Sequence, residues 1–281
     1  MINRMRVVIL TLLAMIAFAS NSLLCRLALR QTPIDAASFT LIRLLSGVIA
    51  LGLIVITRKA GRITAGNWTS ALALFVYAAA FSFAYITLPA GTGALLLFGT
   101  VQATMIFWGF RKGERLTARQ WFGLAIAIGG LVALVFPGLS APPIGGTLLM
   151  TGAGIAWGIY SLRGKDGGDP TSVTAGNFWR SAVFAAVLSM ALLRWTNLDP
   201  AGIRYAIVSG AIASGVGYVI WCSALPGLKA TTAATVQLSV PMLAAIGGTL
   251  FLSESITLRL LVASLLILGG IALVILQRLS G

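Results

Sequence analysis

Amide side chains inside apolar segments are the first residues of this chain whose types could do chemistry. Asn21, Gln102 and Gln237 each lie within a run of apolar residues, where an amide without a hydrogen-bonding partner costs several kcal/mol. Such an amide either binds a neighbouring helix or contributes a directed hydrogen bond to a ligand. We therefore take these three residues as candidate substrate-binding residues, with interhelical hydrogen bonding as the alternative.

Aromatic residues at helical spacings are a second group of candidates. An amphiphilic ligand needs apolar walls together with a few well-placed hydrogen bonds, and aromatic side chains on one helix face would supply those walls. Ordinary packing or a position at the membrane interface is the alternative. The pairs are Trp157 with Tyr160, Tyr218 with Trp221, and Tyr77 with Tyr85 about two turns apart.

Two arginines, Arg43 and Arg180, are the bases that the sequence places well inside apolar runs. They fall at equivalent positions when the Leu-Pro pair at 88–89 is aligned with the Leu-Pro pair at 225–226. As a pair they could bind a carboxylate or a phosphate, so they are candidate anion contacts. The alternative is structural, because a buried guanidinium also binds helix ends or extends toward the interface.

Catalytic and metal chemistry is not expected from these residues. The chain has no His, and its six acids fall in loops or at the ends of apolar runs. A membrane-embedded enzyme would need a His, a paired acid or a thiol with a base near mid-span. Cys25 and Cys222 each lie singly in an apolar stretch, as small packing residues do. We expect no enzyme activity, no metal, no cofactor and no proton coupling through a buried acid.

The elements that position these residues follow from the composition. Of 281 residues, 58% are hydrophobic and 9% are charged, whereas soluble domains carry roughly 25% charged residues. A soluble globule is therefore excluded. The net charge of +14 does not indicate nucleic-acid binding, because the basic residues lie between apolar runs rather than on one soluble face.

Apolar length and helix breakers predict ten membrane spans of about 20 residues each. The runs are uninterrupted rather than alternating, which favours helices over a barrel. The predicted fold is an all-α integral membrane protein. The predicted spans are residues 7–29, 36–56, 69–88, 91–110, 118–136, 144–162, 172–193, 203–225, 230–252 and 258–277.

Basic residues near the ends of the spans predict the orientation in the membrane. With the amino terminus placed in the cytoplasm, 13 basic residues fall inside and 5 outside. Loops retained on the cytoplasmic side collect Lys and Arg. Both termini are therefore expected in the cytoplasm.

An internal repeat divides the chain into two halves. Residues 114–130 and 254–270 are identical at five of seventeen positions, among them a Glu, a Thr, an Arg and a Gly pair. Each half, residues 1–140 and residues 141–281, holds five predicted spans, so the second half enters the membrane from the opposite face. Two inverted five-helix repeats are typical of carriers that open a central site alternately to each side.

The repeated motif resembles the drug/metabolite transporter superfamily, in its ten-helix branch built from two EamA domains. Residues 113–117, Gly-Glu-Arg-Leu-Thr, and residues 254–257, Glu-Ser-Ile-Thr, carry the resemblance, with Pro241 thirteen positions before the second Glu. Two positions depart from the family pattern. Val101 stands where the first half would have the proline, and Ser253 replaces the glycine before the acid.

Residues 98–105, Phe-Gly-Thr-Val-Gln-Ala-Thr-Met, are most similar to aromatic amino-acid exporters of the YddG type. The resemblance implies a bacterial inner-membrane carrier that exports amino acids, aromatic and other, and related metabolites. The alternative is a broad-specificity exporter of drugs or other metabolites, including sugar phosphates if Arg43 and Arg180 face inward. Expected partners are amino-acid substrates and the lipid bilayer, without nucleic acid, in a monomer or weak homodimer.

Overall fold

The computed structural model describes residues 4–58, 65–113, 115–136, 141–163, 169–228 and 236–276. Within these ranges the secondary structure is helical, without strands, which confirms the all-α prediction for this part of the chain. Glu114 of the repeated motif and residues 230–235 of the predicted ninth span lie outside the described residues.

Eleven α-helices form the described part of the molecule. Short 3₁₀ turns follow two of them, at Leu193–Trp195 and Leu225–Gly227. The helices are α1 Arg4–Gln31, α2 Ala36–Arg58, α3 Trp68–Tyr85, α4 Ala90–Arg111, α5 Ala118–Val135, α6 Ile144–Arg163, α7 Pro170–Ala191, α8 Pro200–Val208, α9 Gly217–Ala224, α10 Ser239–Leu252 and α11 Leu258–Leu276.

Seven described helical segments are long and apolar enough to cross a membrane. One of them is the 28-residue rod Pro200–Gly227, in which the π-helical segment Ser209–Val216 joins α8 to α9. Helices α6 and α7 are of similar length but carry more polar residues, and α10 is a shorter apolar helix. A membrane protein with several spans is thus confirmed, whereas the count of ten spans stays a prediction.

Polar residues at the helix starts explain where several of these helices begin. The Asn67 side chain accepts a hydrogen bond from the Ser70 amide at 2.8 Å and caps α3. Thr117 and Gln120 form a reciprocal capping box at α5. Asp169 caps α7 in the same way as Asn67 caps α3, and it is followed by a proline in the first turn, where the missing N–H costs no helical hydrogen bond.

Helix packing in the described bundle follows a twofold pattern. Helix α2 packs against α7, and α5 packs against α11. Four further contacts form two equivalent pairs. The contact of α3 with α6 corresponds to the contact of α8 with α1, and the contact of α4 with α6 corresponds to the contact of α10 with α1. If the helices of the first half are exchanged with their counterparts in the second half, the first two contacts map onto themselves and the other four map onto one another in pairs.

Glycines set the close approach of α5 and α11. A Cβ atom on Gly130 would lie 3.0 Å from the Ile267 backbone nitrogen, and one on Gly270 would lie 2.6 Å from the Ala127 nitrogen. The two contacts are equivalent in the sequence repeat. The preceding glycines, Gly129 and Gly269, have no atom within 4 Å of such a Cβ, so one member of each predicted glycine pair makes the contact.

Pro241 lies in the first turn of α10. Residues 236 and 237 are helical, a turn at Leu238 interrupts the helix, and α10 begins at Ser239. Because proline has no backbone N–H, it cannot donate the helical hydrogen bond to the carbonyl four residues earlier, and the helix is disturbed in the turn before it. The interruption directly before Pro241 agrees with this effect of a proline inside the predicted ninth span.

Candidate functional site: a central cavity

A cavity of about 420 Å³ lies at the centre of the described bundle. Side chains from α1, α3, α4, α6, α7 and the rod Pro200–Gly227 line it. This volume is within the range of small-ligand pockets. Among the described residues that line the cavity there is an arginine but no Asp or Glu.

Trp157 of α6 is the centre of the aromatic wall. Its ring centroid lies 4.6 Å from that of Tyr77, 5.2 Å from that of Tyr218 and 5.4 Å from that of Tyr160. Phe18 of α1 packs edge-on against Tyr218, with centroids 6.0 Å apart. The Trp157–Tyr160 pair occupies one helix face as its spacing predicts, while Tyr77 and Tyr218 reach it from other helices.

Asn21 organises the polar side of the cavity. Its amide nitrogen donates to the Tyr77 hydroxyl at 3.4 Å, and its amide oxygen accepts from the Ser209 hydroxyl at 2.7 Å. The Tyr77 hydroxyl also accepts from Arg43 Nη2 at 3.2 Å. This network joins α1, α2, α3 and the π-helical segment. Asn21 is thus an interhelical hydrogen-bonding residue that also lines the cavity, and its hydrogen bond to a ligand stays a prediction.

The cavity opens toward one end of the bundle. Asn67 at the start of α3, Arg163 at the end of α6, Pro170 at the start of α7 and Leu225 after α9 all line it and are solvent-exposed. These four positions lie at the same end, so they form its mouth. The Arg163 side chain donates to the Ser70 hydroxyl at 3.2 Å there.

An ion pair closes the opposite end. Arg26 Nε binds Glu254 Oε1 at 2.9 Å, and both side chains are largely buried. Arg26 also donates to the carbonyls of Tyr85 and Ile86 at the end of α3, while Glu254 Oε2 accepts from the Ala90 amide at the start of α4 at 2.7 Å. These contacts tie α1, α3, α4 and the end of α10 together.

Arg26 was one of the five basic residues counted on the outer side of the membrane, near the end of the first predicted span. It lies within α1 and is 7% exposed, so Arg43 and Arg180 are not the only bases inside predicted spans. The sequence carried a signal for this, because the alignment that pairs Arg43 with Arg180 also pairs Arg26 with Arg163.

Eight of the nine predicted substrate-binding residues line the cavity: Asn21, Tyr77, Gln102, Trp157, Tyr160, Tyr218, Trp221 and Gln237. Tyr85 does not. Its hydroxyl donates to the Ala90 carbonyl at 3.3 Å and its side chain is fully buried. Eight residues on a helix of 3.6 residues per turn leave Tyr77 and Tyr85 about 80° apart, so the two rings do not share a face.

The two predicted anion contacts do not line the cavity either. Arg43 is buried behind Tyr77 and Phe81, with its guanidinium carbon 5.5 Å and 4.9 Å from their ring centroids. Arg180 donates to the Ala65 carbonyl at 2.9 Å, next to the start of α3, and to the Gly176 carbonyl in its own helix. Neither guanidinium is placed to touch a ligand in the cavity directly.

Several lining residues were missed by the sequence prediction. Phe18, Thr174, Asn177 and Arg163 all face the cavity. Asn177 is an amide inside an apolar segment, and the same signal identified Asn21. The side-chain oxygen of Asn177 accepts a hydrogen bond from the backbone N–H of Asn67 at 3.0 Å. Phe18 and Thr174 have no distinguishing sequence signal among many apolar and small neighbours.

A multi-helix membrane protein with a ligand-sized cavity that opens at one end and is closed by an ion pair at the other has the construction of a membrane carrier. Comparison with known proteins gives the family. The EamA-like transporter family model matches residues 5–136 and again residues 144–276. The chain belongs to the EamA-like transporter family.

Relatives extend this comparison. An uncharacterized Pseudomonas aeruginosa protein is 55% identical over 98% of this chain and 96% of its own length. The threonine/homoserine exporter RhtA of Escherichia coli K12 is 31% identical over 61% of this chain, and the match spans 57% of RhtA. A probable amino-acid metabolite efflux pump of Escherichia coli K12 is 24% identical over 66% of this chain and 67% of its own length. A solved crystal structure, 17% identical, has the same fold, with a TM-score of 0.68 over 98% of this chain and 99% of that one.

Proposed function

We propose that this protein exports amino acids and related metabolites across the bacterial inner membrane through the central cavity. The observation that carries the proposal is the lining itself, in which aromatic rings in tilted and edge-to-face contact lie together with amides and hydroxyls. Such a surface binds amphiphilic molecules the size of an amino acid. Relatives named as a threonine/homoserine exporter and an amino-acid metabolite efflux pump support the same class of substrate.

Transport would proceed by alternating access between two inverted five-helix halves, residues 1–140 and 141–281. The twofold packing pattern and the two separate family matches support this arrangement. With both termini in the cytoplasm, the cavity mouth faces the cytoplasm and the Arg26–Glu254 pair seals the outer side. This is the state in which an exporter receives its substrate. We propose a monomer or a weak homodimer as the working assembly.

Export of sugar phosphates, the alternative function, is disfavoured. It required Arg43 and Arg180 to face inward, and neither lines the cavity. A broad exporter of cationic drugs is also disfavoured, because no acid lies among the described lining residues to balance a cation. The aromatic lining favours aromatic amino acids of the kind exported by YddG-type carriers, alongside smaller ones.

Replacing Trp157 with Ala is expected to lower the apparent affinity for phenylalanine by tenfold or more, because the substitution removes the ring at the centre of the cavity wall. Counterflow in proteoliposomes loaded with unlabelled phenylalanine measures this, without a pH gradient. Trp121→Ala is the matched control, since Trp121 is 51% exposed on the outer face of α5, and it should leave exchange unchanged.

Counterflow also tests the proposal as a whole. Labelled phenylalanine and threonine should accumulate in loaded vesicles, and sugar phosphates and lipophilic cations should not compete. Absence of exchange for every amino acid, with exchange of a phosphorylated or cationic compound instead, would overturn the assignment.

A further inference from the structure

The charge of Arg43 lies next to the cavity without an acidic partner in the described structure. Arg43 is 3% exposed, and its Nη1 has no hydrogen-bond partner. Arg26–Glu254 is the ion pair found among the described residues, so Arg43 is balanced by hydrogen bonding to Tyr77 and by two aromatic rings. A buried guanidinium with so little compensation attracts an anion strongly.

The Tyr77 hydroxyl transmits that charge to the cavity. It accepts one hydrogen bond from Arg43 and another from Asn21, which occupies both lone pairs of the phenol oxygen. Its own proton therefore remains available as a donor, and Tyr77 lines the cavity. Because a cationic donor polarises the phenol, this O–H is a stronger donor than that of an isolated tyrosine.

A second hydroxyl at the same site also lacks a partner. The Tyr218 hydroxyl is buried without a hydrogen bond, and Tyr218 lines the cavity against the same Trp157 ring that Tyr77 contacts. Buried polar atoms are normally hydrogen-bonded in folded proteins. An unpartnered hydroxyl in a ligand-sized cavity thus indicates a position that a ligand atom fills.

We propose that the Tyr77 and Tyr218 hydroxyls bind the carboxylate of the substrate, and that Arg43 acts from behind Tyr77 as a positioning residue that supplies the positive charge. This inference rests on the proposed amino-acid export and specifies the group that the cavity recognises. A carboxylate accepts both O–H donors at once, whereas a carboxamide is neutral and gains little from the nearby guanidinium.

The other end of the substrate would meet a different surface. Since no acid lies among the described lining residues, the ammonium group of an amino acid is left to the faces of the aromatic rings around Trp157. Loss of the carboxylate is therefore expected to weaken binding much more than loss of the ammonium group.

Competition in the counterflow assay tests the carboxylate site with three probes: phenylalanine, phenylalaninamide and phenethylamine. In the unsubstituted protein, phenylalanine should compete at least tenfold better than either probe that lacks the carboxylate. Tyr77→Phe and Tyr218→Phe should each reduce this preference by about tenfold, because inhibition by phenylalanine should fall more than inhibition by phenylalaninamide. Tyr205→Phe is the matched control, because Tyr205 does not line the cavity, and it should keep the full preference.

Arg43→Gln separates positioning from direct binding. It should reduce the preference for carboxylate over carboxamide without abolishing binding, and it should add little to the effect of Tyr77→Phe when the two are combined. Equal competition by phenylalanine and phenylalaninamide, or an unchanged preference in both tyrosine variants, would overturn the carboxylate site.

A direct binding measurement distinguishes failure of the site from failure of the proposed function. Thermal stabilisation of the purified protein by phenylalanine and by phenylalaninamide reports recognition without transport. If exchange fails but phenylalanine alone stabilises the protein, export is contradicted and the carboxylate site stands. If exchange succeeds and both probes stabilise the protein equally, the carboxylate site is contradicted and export stands.

Discussion

Glu254→Gln is expected to destabilise the protein by about 3 kcal/mol, the cost typical of removing one partner from a buried ion pair. Glutamine preserves the size of the side chain but leaves the buried Arg26 guanidinium without its anion, 2.9 Å from the substituted group. The corresponding fall in the unfolding midpoint is roughly 6 to 12 °C. Thermal unfolding of the detergent-purified protein measures it.

A double substitution supplies the control for this prediction. Arg26→Met combined with Glu254→Gln removes both charges, so no guanidinium is left unpaired, and most of the lost stability should return. The double-mutant cycle should give a coupling of about 2 kcal/mol or more for residues in direct contact. If Glu254→Gln unfolds within a degree or two of the unsubstituted protein, the pair does not hold that end of the bundle closed.

Gly270→Ala is the second large effect, because α5 and α11 are in backbone contact at this point. A Cβ on Gly270 would lie 2.5 Å from the Gly123 carbonyl oxygen and 2.6 Å from the Ala127 nitrogen, and backbone atoms yield only if the helices separate. We expect a loss of about 1 to 3 kcal/mol, despite the better helix propensity of alanine. The unfolding midpoint measures it.

The neighbouring glycine gives a matched control. Gly269 lies on the same turn of α11 but faces open space, since no atom lies within 4 Å of a Cβ there. Gly269→Ala should therefore be neutral or stabilising by up to about 1 kcal/mol. Equal midpoints for the two variants would contradict the close contact between α5 and α11.

The sequence predicted the fold class because lipid leaves few solutions. Long uninterrupted apolar runs have to be helices, and most described residues of those runs are helical. The glycine pairs of the repeat also mark where α5 and α11 meet, as the contacts at Gly130 and Gly270 show. It did not predict that only one glycine of each pair makes the contact, because that depends on the rotation of one helix against the other.

The sequence could predict those site residues whose polar side chains lie within apolar segments. Amides such as Asn21 and Gln102 stand out in apolar segments, and both line the cavity. Tyr85 was predicted to share a helix face with Tyr77 because eight residues were taken as two full turns. The remaining rotation of about 80° turns the Tyr85 ring away from the cavity. Arg26 was counted as an outer-side charge because it lies near the end of a predicted span, whereas its burial depends on the distant Glu254.

Arg43 illustrates the limit of sequence reasoning about the site. Its depth in an apolar run predicted an unusual role, and anion binding was one of two possibilities. The sequence could not place Tyr77 between Arg43 and the cavity, because that order depends on how α2 packs behind α3. The orientation of these helices decides whether the charge reaches a ligand directly or through a hydroxyl.

Cysteine accessibility at Ser161 tests the central claim that one cavity binds an amino acid and is open to one side at rest. Ser161 lines the cavity near its mouth, and Ser161→Cys is close to isosteric. Both native cysteines, Cys25 and Cys222, are first replaced with alanine. A small membrane-impermeant thiol reagent is then applied to vesicles from each side in turn. Reaction from the side where α3 begins, slowed by saturating phenylalanine, is the predicted result; equal reaction from both sides, with no protection by any amino acid, would contradict the account.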